Sequence, residues 1–427
     1  MSTNIPVGSA LARKIYSVGL FTRVQHSPGF MNLISGEMPK EGSFAAKTKG
    51  QTSPDYPIVK AGDLAKGAGD TVSIDLFNIL QGKPVMGDKR IEGRMMQLTY
   101  SSMDVRIDQV RGGADSGGRM TQKRTVHNLR NISMAGLQAW MQRLEDQTAL
   151  VHLAGARGSQ QTSDWVVPLQ SDGDFSEIMV NTVKAPTKNR YFAANDATTP
   201  ADIGTNDALT LQDIDRIVAQ LRESPVVMQS VKIKGDDRAW NDPLWVMFVT
   251  ERQWLYLQSR TSQTTWRQAV QYAFERKSGG LKHPLFDAYE TIMWNGVLIK
   301  RMNRYAIRFA AGDNVVTDTG GSDGMTYTES TVQTAQPVDR AIIVGAQALA
   351  KAYGKSASDY FYDWSEKEVD HGNSIETVSA AMCGSAKIRF KIDGADTDFG
   401  VAVVDSYAPD PASAAGRSTQ RTGSRHR

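Results

Sequence analysis

The clearest alternation of apolar and polar positions lies in residues 70–110 and predicts a long β-hairpin. Every second position of both strands is apolar, at Val72, Ile74, Leu76, Met103, Val105 and Ile107. A period of two is typical of a strand that buries one face. Residues 81–94, between the strands, are rich in glycine and charge, which predicts a wide tip. The pattern leaves two alternatives open, because the apolar face can pack on its own domain or on a neighbouring molecule.

The longest helical period covers residues 119–153 and predicts one continuous helix. Its apolar stripe consists of Val126, Leu129, Leu137, Trp140, Leu144 and Val151. Basic residues crowd the start of this helix, at Arg119, Lys123, Arg124, His127 and Arg130. Cations at a helix N-terminus oppose the helix dipole, so we expect acidic neighbours or phosphate groups beside them. Gly155 and Gly158 predict the end of the helix.

The middle of the chain predicts a compact α/β lobe that follows an irregular insertion. Residues 155–208 show no period and supply the insertion. A helix is expected at 210–223, with Thr210 as its N-cap and Asp213 three residues later. Shorter apolar patterns predict a buried strand at 244–249, a helix at 264–276 and strands at 297–299 and 341–344. Strands and helices that alternate in this way favour an α/β arrangement.

Both ends of the chain are less regular than its middle. Glycines and prolines interrupt residues 1–60, which predicts an arm that must lie on its own body or on a neighbour. Residues 374–405 return to strands, with one strand at 388–392 and a partner at 399–404 after a turn. Residues 408–427 are polar, basic and of low complexity, as expected of a flexible tail.

Length and charge narrow the classes of protein. At 427 residues the chain exceeds the roughly 250–300 that one core usually serves, so two or three lobes are expected. The net charge is only +3, but both ends are basic. Basic ends suit contact with nucleic acid or with acidic neighbours, although solvated ends would carry the same charge. The residues concerned are Arg13, Lys14, Arg417, Arg421, Arg425 and Arg427.

Candidate chemistry is sparse. Cys383 is the single cysteine and is expected to be a small core residue, and no apolar run reaches the ~20 residues of a membrane span. The protein is therefore expected to stay on the cytosolic side. The glycine pairs at 112–113 and 117–118 lack the spacing of a phosphate loop and predict weak anion binding at most. Asp393, Asp396 and Asp398 favour a hairpin turn over a calcium loop. We expect no metal, no cofactor and no catalysis.

Several segments resemble a known family when they are taken in order. They are GDTV at 69–72, MTQKRT at 120–125, DQTALVHLAG at 146–155, AIIVGAQALAKAYGK at 341–355 and the strand region at 370–406. Together they are similar to major capsid proteins of tailed bacteriophages that adopt the Hong Kong 97 fold, podophage coat proteins among them.

The resemblance implies an α+β fold with the parts of a Hong Kong 97-type subunit. The N-terminal arm would be 1–60, the extended loop 61–118 and the peripheral domain 119–208, with a spine helix at 119–153. The axial domain would be 209–353, the returning peripheral strands 354–407 and the basic tail 408–427.

The resemblance also implies a structural subunit that assembles into hexamers and pentamers of an icosahedral head around double-stranded DNA. Scaffolding, portal and decoration proteins would be its partners, without a membrane, in a virion assembled in the host cytoplasm. The basic ends would then face the lumen. The subunit-interface residues would lie on the extended loop, at Lys83, Met86, Asp88, Arg90, Glu92, Arg94, Arg106 and Asp108. A protein nanocompartment shell and a cytosolic hydrolase with a noncontiguous site remain as alternatives.

Overall fold

The computed structural model shows a mixed α+β protein, as expected from the sequence. It describes residues 7, 9–26, 29–36, 55–64, 69–77, 84–87, 90–92, 95, 100–124, 128–233, 236, 244–278, 283–286, 290–302, 305–354, 361–392 and 394–413. Over these residues two larger sheets and a long helix form most of the body.

The helices of the described chain, in order, are α1 Ala10–His26, α2 Phe30–Leu33, α3 Arg119–Arg124, α4 Leu129–Ala154, α5 Phe175–Met179, α6 Leu211–Glu223, α7 Glu251–Arg260 and α8 Gln263–Ser278. The predicted helices at 210–223 and 264–276 are confirmed as α6 and α8. The hydroxyl of Thr210 accepts from the amide of Asp213, and Asp213 in turn caps the Thr210 backbone. This reciprocal capping explains why a local pattern located the start of α6.

The strands, in order, are β1 Ile58–Leu64, β2 Thr71–Phe77, β3 Tyr100–Arg106, β4 Asp108–Gly118, β5 Tyr191–Ala193, β6 Trp245–Val249, β7 Thr291–Trp294, β8 Val297–Arg301, β9 Ile307–Phe309, β10 Asn314–Asp318, β11 Glu329–Gln333, β12 Val338–Val344, β13 Leu349–Gly354, β14 Tyr362–Val369, β15 Ser374–Lys387, β16 Arg389–Ile392, β17 Ala395–Asp398 and β18 Val401–Tyr407. A five-stranded sheet has the order β1-β13-β15-β14, with β4 also paired to β15. A seven-stranded sheet has the order β5-β18-β12-β6-β8-β7, with β9 beside β12.

The seven-stranded sheet is buried on both faces. Val246 and Phe248 of β6 belong to one apolar core, together with the second half of α4. Trp245 and Met247, which alternate with them, belong to another core under α6, α7 and α8. Successive side chains of a strand point to opposite faces, so a strand between two cores must be apolar throughout. This confirms the buried strand predicted at 244–249.

The predicted helix over 119–153 is wrong in one respect, because the chain forms two helices there. The longer helix, α4, starts only after Asn128, whose side chain accepts from the amide of Asn131. An asparagine in extended conformation that caps the following turn competes with a helix running through it. The predicted end is confirmed, since Gly155 adopts φ 68° and a Cβ there would lie 2.6 Å from the Lys184 carbonyl oxygen.

The segment 155–208 is irregular over most of its length, as expected, but several of its apolar side chains belong to the core. Val167, Phe175 and Met179 are buried in the main core with the end of α4. Strand β5 of the same segment pairs in parallel with β18 and extends the seven-stranded sheet. The polar composition of the segment did not indicate this contribution to the core, because the apolar side chains that enter the core are isolated and follow no period.

The predicted partner of the 388–392 strand is also wrong. Strand β16 pairs with β17 across the turn at 393–394, and β18 instead joins β12 in the seven-stranded sheet. The turn itself is confirmed on its described side, where Gly394 adopts φ 86°. Strand β18 therefore returns to the sheet of the predicted axial region, and the domain boundaries drawn from the sequence stay predictions.

The arm and the hairpin both pack on the chain itself. The 17-residue helix α1 was not predicted, and its Leu20 and Val24 pack with Met141 of α4. Strands β2 and β3 form the predicted hairpin, with Val72 opposite Val105. Both valines are buried against β13 and β16, so the base of the hairpin uses the intramolecular alternative. Most of its tip lies outside the described residues.

Candidate assembly surfaces and the ionic layer that supports them

A layer of buried charges joins α4 to the five-stranded sheet. Lys60 of β1 and Lys351 of β13 are neighbours across the sheet, and both are almost fully buried. Glu145 and Asp146 of α4 are buried beside them. Burial lowers the pKa of Lys60 to about 8 and raises the pKa of Asp146 to about 6, against the attraction between the two groups. The layer, named here the ionic layer, consists of Lys60, Glu145, Asp146 and Lys351.

Aromatic hydroxyls complete the ionic layer. Tyr362 of β14 donates to Glu145 at 2.5 Å, and Tyr353 of β13 donates to it at 3.5 Å. Burial raises the pKa of Tyr362 well above its ordinary value, so the hydroxyl stays a donor. Cys383 is buried in the neighbouring cluster, and burial raises the pKa of its thiol. Cys383 is therefore a core residue, as predicted.

The ionic layer also forms hydrogen bonds with α2 of the N-terminal arm. A carboxylate oxygen of Asp146 accepts from the Met31 amide at 2.9 Å, at the start of α2. Lys60 donates to the side-chain oxygen of Asn32 at 3.3 Å. Gly29 lies so close to Asp146 that a Cβ there would approach its carboxylate to 2.5 Å. The Asp146 carboxylate thus joins the arm to α4, and Lys60 joins the arm to β1.

The basic residues at the starts of α3 and α4 have carboxylate and carbonyl neighbours. Arg130 donates to both carboxylate oxygens of Glu366, at 2.7 and 2.6 Å, and its guanidinium lies over the Tyr16 ring. Arg119 donates to the Gly372 carbonyl at 3.0 Å. The expectation of acidic neighbours is confirmed for Arg130. His127 lies outside the described residues.

Asp398 is the centre of a second buried cluster, in which two cationic side chains surround it. It is fully buried and accepts from Arg389 at 2.7 Å, while Lys387 lies 2.8 Å away. Both cations lower the pKa of Asp398 against the opposing effect of burial. Its neighbour Asp396 accepts from the amide of Tyr327. Within the described ranges we find no group of three metal-ligating side chains.

A buried ion pair of the seven-stranded sheet also contacts the end of α4. Arg340 of β12 and Asp405 of β18 are both fully buried and form a two-point pair at 2.7 and 2.8 Å. The same guanidinium donates to the Ala154 carbonyl, at the last residue of α4, at 3.0 Å. Carbonyls at a helix C-terminus lack intrahelical partners, so Arg340 satisfies a group that burial would otherwise penalise.

The predicted interface residues on the extended loop fall into two groups. Met86, Arg90 and Glu92 are exposed, and Met86 shows 70% of its surface. Two exposed apolar residues beside them were missed, Ile91 at 58% and Met95 at 72%. Arg106 and Asp108 are exposed at the base of the hairpin, where Asn181 bonds the Arg106 backbone. The remaining predicted residues, Lys83, Asp88 and Arg94, lie outside the described residues.

The predicted lumen residues are placed only in part. Arg13 forms a two-point pair with Asp363 of β14, at 2.8 and 2.5 Å, and 48% of its side chain stays exposed. Lys14 is exposed on α1. The tail arginines, Arg417, Arg421, Arg425 and Arg427, lie outside the described residues.

The glycine pairs at 112–113 and 117–118 lie in a strand and not in a loop. They belong to β4, which pairs along β15. A Cβ on Gly112 would lie 2.4 Å from the Trp140 ring. Glycine is needed at position 112 because the Trp140 ring, on α4, lies directly against β4. Among the described residues no helix is long and apolar enough to cross a membrane.

Comparison with known proteins agrees with this architecture. The family model described as phage capsid protein matches residues 4–410. The major capsid protein of Pseudomonas phage KPP25 is 32% identical over 90 residues, which is 21% of this chain. The match spans about a quarter of that relative, 24% of its length.

Solved capsid structures are similar over most of the chain. The capsid of Ralstonia phage GP4 matches 97% of this chain and 100% of that chain, with 25% identity and a TM-score of 0.68. The Cyanophage Pam1 capsid matches 88% and 96%, with 18% identity and a TM-score of 0.55, and shows the fold alone. The expected α+β capsid fold of the Hong Kong 97 type is confirmed.

Proposed function

The chain belongs to the phage capsid protein family, and from that premise we propose that it is the major capsid protein of a tailed phage. Its copies assemble into hexamers and pentamers that close as an icosahedral head around double-stranded DNA. The observation that carries the proposal is the likeness to the Ralstonia phage GP4 capsid, which extends over 97% of this chain and 100% of that one. The subunit acts as a structural protein, without a cofactor and without catalysis.

The extended loop supplies one contact between copies. Its base is held by the apolar packing of Val72 and Val105, whereas Met86, Ile91 and Met95 expose large apolar surfaces. Burying such side chains contributes about 1.5–3 kcal/mol each, so a neighbour that covers them gains substantially. The charged residues proposed on the same loop set the orientation of that contact: Lys83, Asp88, Arg90, Glu92 and Arg94 toward its tip, and Arg106 and Asp108 at its base.

Substitutions at the exposed methionines test this contact. Met86→Asp should leave a folded subunit but reduce particle yield at least tenfold in sedimentation, because a carboxylate would enter an apolar interface. Met325→Asp is the matched control, since Met325 is exposed at 54% in a different loop. Equal particle yields from the two variants would remove the loop from the interface.

The basic tail, Arg13 and Lys14 face the packaged genome in this proposal. Arginines near DNA release condensed counterions, and such contacts do not depend on base sequence. Limited trypsin treatment of sealed, DNA-filled particles should spare Arg417, Arg421, Arg425 and Arg427. Rapid loss of the tail would place it outside the shell.

Scaffolding, portal and decoration proteins are the partners proposed with this role, in a virion assembled in the host cytoplasm. Mass spectrometry of purified proheads and virions would identify them. Particles that contain this chain alone at every stage would remove these partners.

A further inference from the structure

Residues 29–36 of the arm, named here the strap, lie against two buried charges of opposite sign. The carboxylate of Asp146, on α4, accepts from the Met31 amide at 2.9 Å, and the Lys60 amine, on β1, donates to the Asn32 side chain at 3.3 Å. A Cβ on Gly29 would lie 2.5 Å from the same carboxylate. Asp146 and Lys60 retain only 5% and 3% of their accessible surface, so the strap helps to separate both charges from water.

The strap is not part of a sheet ladder. Its helix α2 has four residues, too few to be stable without the surrounding structure. At its end, Ser35 forms an isolated bridge with Ile58 of β1. The side chains of Met31 and Ile34 enter the main core. A short segment held by a few side chains and one bridge is the kind of unit that opens locally, at a lower cost than global unfolding.

Opening the strap returns both charges to water. Burial raises the pKa of Asp146 from 3.8 to about 6 and lowers the pKa of Lys60 from 10.5 to about 8. The closed strap therefore binds an extra proton at Asp146, which favours closing as the pH falls through 6. It also releases a proton from Lys60, which favours closing as the pH rises through 8. Between these values both groups are charged, and the strap is held least firmly.

The other ionisable side chains around this pair come from α4 and from three strands of the five-stranded sheet. They are Glu145, Lys351, Tyr353, Tyr362 and Cys383. Glu145 raises the pKa of both Asp146 and Lys60, whereas Lys351 lowers both, and each effect is smaller than that of burial. Burial raises the pKa of Tyr362 and of Cys383, so both stay neutral between pH 5 and pH 8. The pH dependence of the strap is therefore expected to arise from Asp146 and Lys60.

We propose that residues 29–36 form a proton-sensitive strap, which closes more firmly over α4 and β1 when Asp146 is protonated or Lys60 is neutral. The strap opens most readily near pH 7. Opening exposes the apolar side chains of Met31 and Ile34 while the seven-stranded sheet stays folded. The inference concerns the single subunit and does not depend on its assembly into a shell.

Hydrogen exchange of the Met31 amide in the wild-type subunit tests the strap, because this amide donates to Asp146. Mass spectrometry with electron-transfer fragmentation gives its exchange rate, and division by the intrinsic rate at each pH gives its opening constant. That constant should fall about tenfold from pH 7 to pH 5, as expected when a carboxyl pKa rises from 3.8 to about 6 on closing. Amides of β6 report global unfolding, so their opening constants should be smaller than that of Met31 at pH 7.

Two carboxylate substitutions separate the strap from the rest of the arm. In Asp146→Asn the opening constant of the Met31 amide should change less than about twofold between pH 7 and pH 5, because the amide side chain does not titrate. Asp363→Asn is the matched control, since Asp363 pairs with Arg13 of α1 and contacts the arm outside the strap. This variant should retain the tenfold change.

Lys60 tests the alkaline side and does not depend on the folding of Asp146→Asn. The opening constant of the wild-type Met31 amide should fall about fivefold from pH 8 to pH 9, and Lys60→Gln should abolish this fall. An opening constant that is equal at pH 5 and pH 7 would overturn the proposal. The same conclusion would follow if Asp146→Asn kept the tenfold change, or if the Met31 amide exchanged only as often as the amides of β6.

Discussion

In the seven-stranded sheet, Val246 and Phe248 face one apolar core while Trp245 and Met247 face another. In the five-stranded sheet, the side that faces α4 carries Lys60 and Lys351 against Glu145 and Asp146. Apolar cores of similar volume tolerate many substitutions, because their attraction has no direction. Paired buried charges are satisfied in few arrangements. We infer that the first sheet supplies stability, whereas the ionic layer specifies how the spine helix, arm and sheet fit together.

The largest expected effect lies in the apolar sheet. Phe248→Ala removes a fully buried ring that also contacts Phe30 at 4.9 Å between ring centroids. We expect the free energy of unfolding to fall by about 3–5 kcal/mol, equally at pH 5 and pH 8, because no ionisable group is involved. Urea melts at both pH values check this. If the loss of unfolding free energy differs between pH 5 and pH 8 by more than about 1 kcal/mol, the apolar sheet is not independent of pH and does not differ from the ionic layer in this respect.

The second effect belongs to the ionic layer and depends on pH. The folded-state pKa of Asp146 is raised to about 6 from 3.8, so the folded state binds more protons between these values. Its contribution is therefore fully present below about pH 4 and is lost as pH rises through 6, by roughly 3 kcal/mol. Glu145 raises this pKa and Lys351 lowers it, both less than burial does.

Asp146→Asn isolates that contribution. The amide oxygen can still accept from the Met31 amide but cannot titrate. The difference in unfolding free energy between wild type and variant should change by roughly 3 kcal/mol between pH 4 and pH 7. Asp202→Asn, at an exposed position with a lowered pKa, is a control whose difference should stay nearly constant over this range, because its contribution is lost only as pH falls below about 4. Parallel curves for wild type and Asp146→Asn would show that burial does not raise the pKa of Asp146.

The smallest effect is expected at Trp140, which lies between the main apolar core and the cluster that contains α1. Trp140 of α4 is half-buried and packs against both the main core and the arm cluster. Trp140→Ala should cost about 1–3 kcal/mol, less than the 3–5 kcal/mol expected for a fully buried tryptophan. Denaturant melts measure this loss. A loss above about 4 kcal/mol would show that the ring is as essential as the buried apolar core.

The sequence predicted features that depend on neighbours along the chain. The capping of α6 and the buried strand β6 lie within a few residues of the signals that specify them. The ionic layer could not be predicted in this way, because Lys60, Glu145 and Lys351 come from three distant segments. Charged residues are also usually exposed, so a periodic pattern assigns them to the surface.

The break before α4 was missed for a related reason. The apolar stripe continues through residues 125–128, and period alone does not reveal that Asn128 caps a new helix. At the candidate surfaces, the sequence predicted the hairpin of β2 and β3 but not the exposed Ile91 and Met95 between these strands.

Electron microscopy of the purified protein tests the central claim most directly. Expressed alone or with a scaffolding partner, the chain should form closed shells, or rings of five and six subunits. Two-dimensional averages should show the extended loop of each subunit lying on its neighbour. A uniform population of folded monomers under every assembly condition would contradict the proposal that this chain builds a phage head.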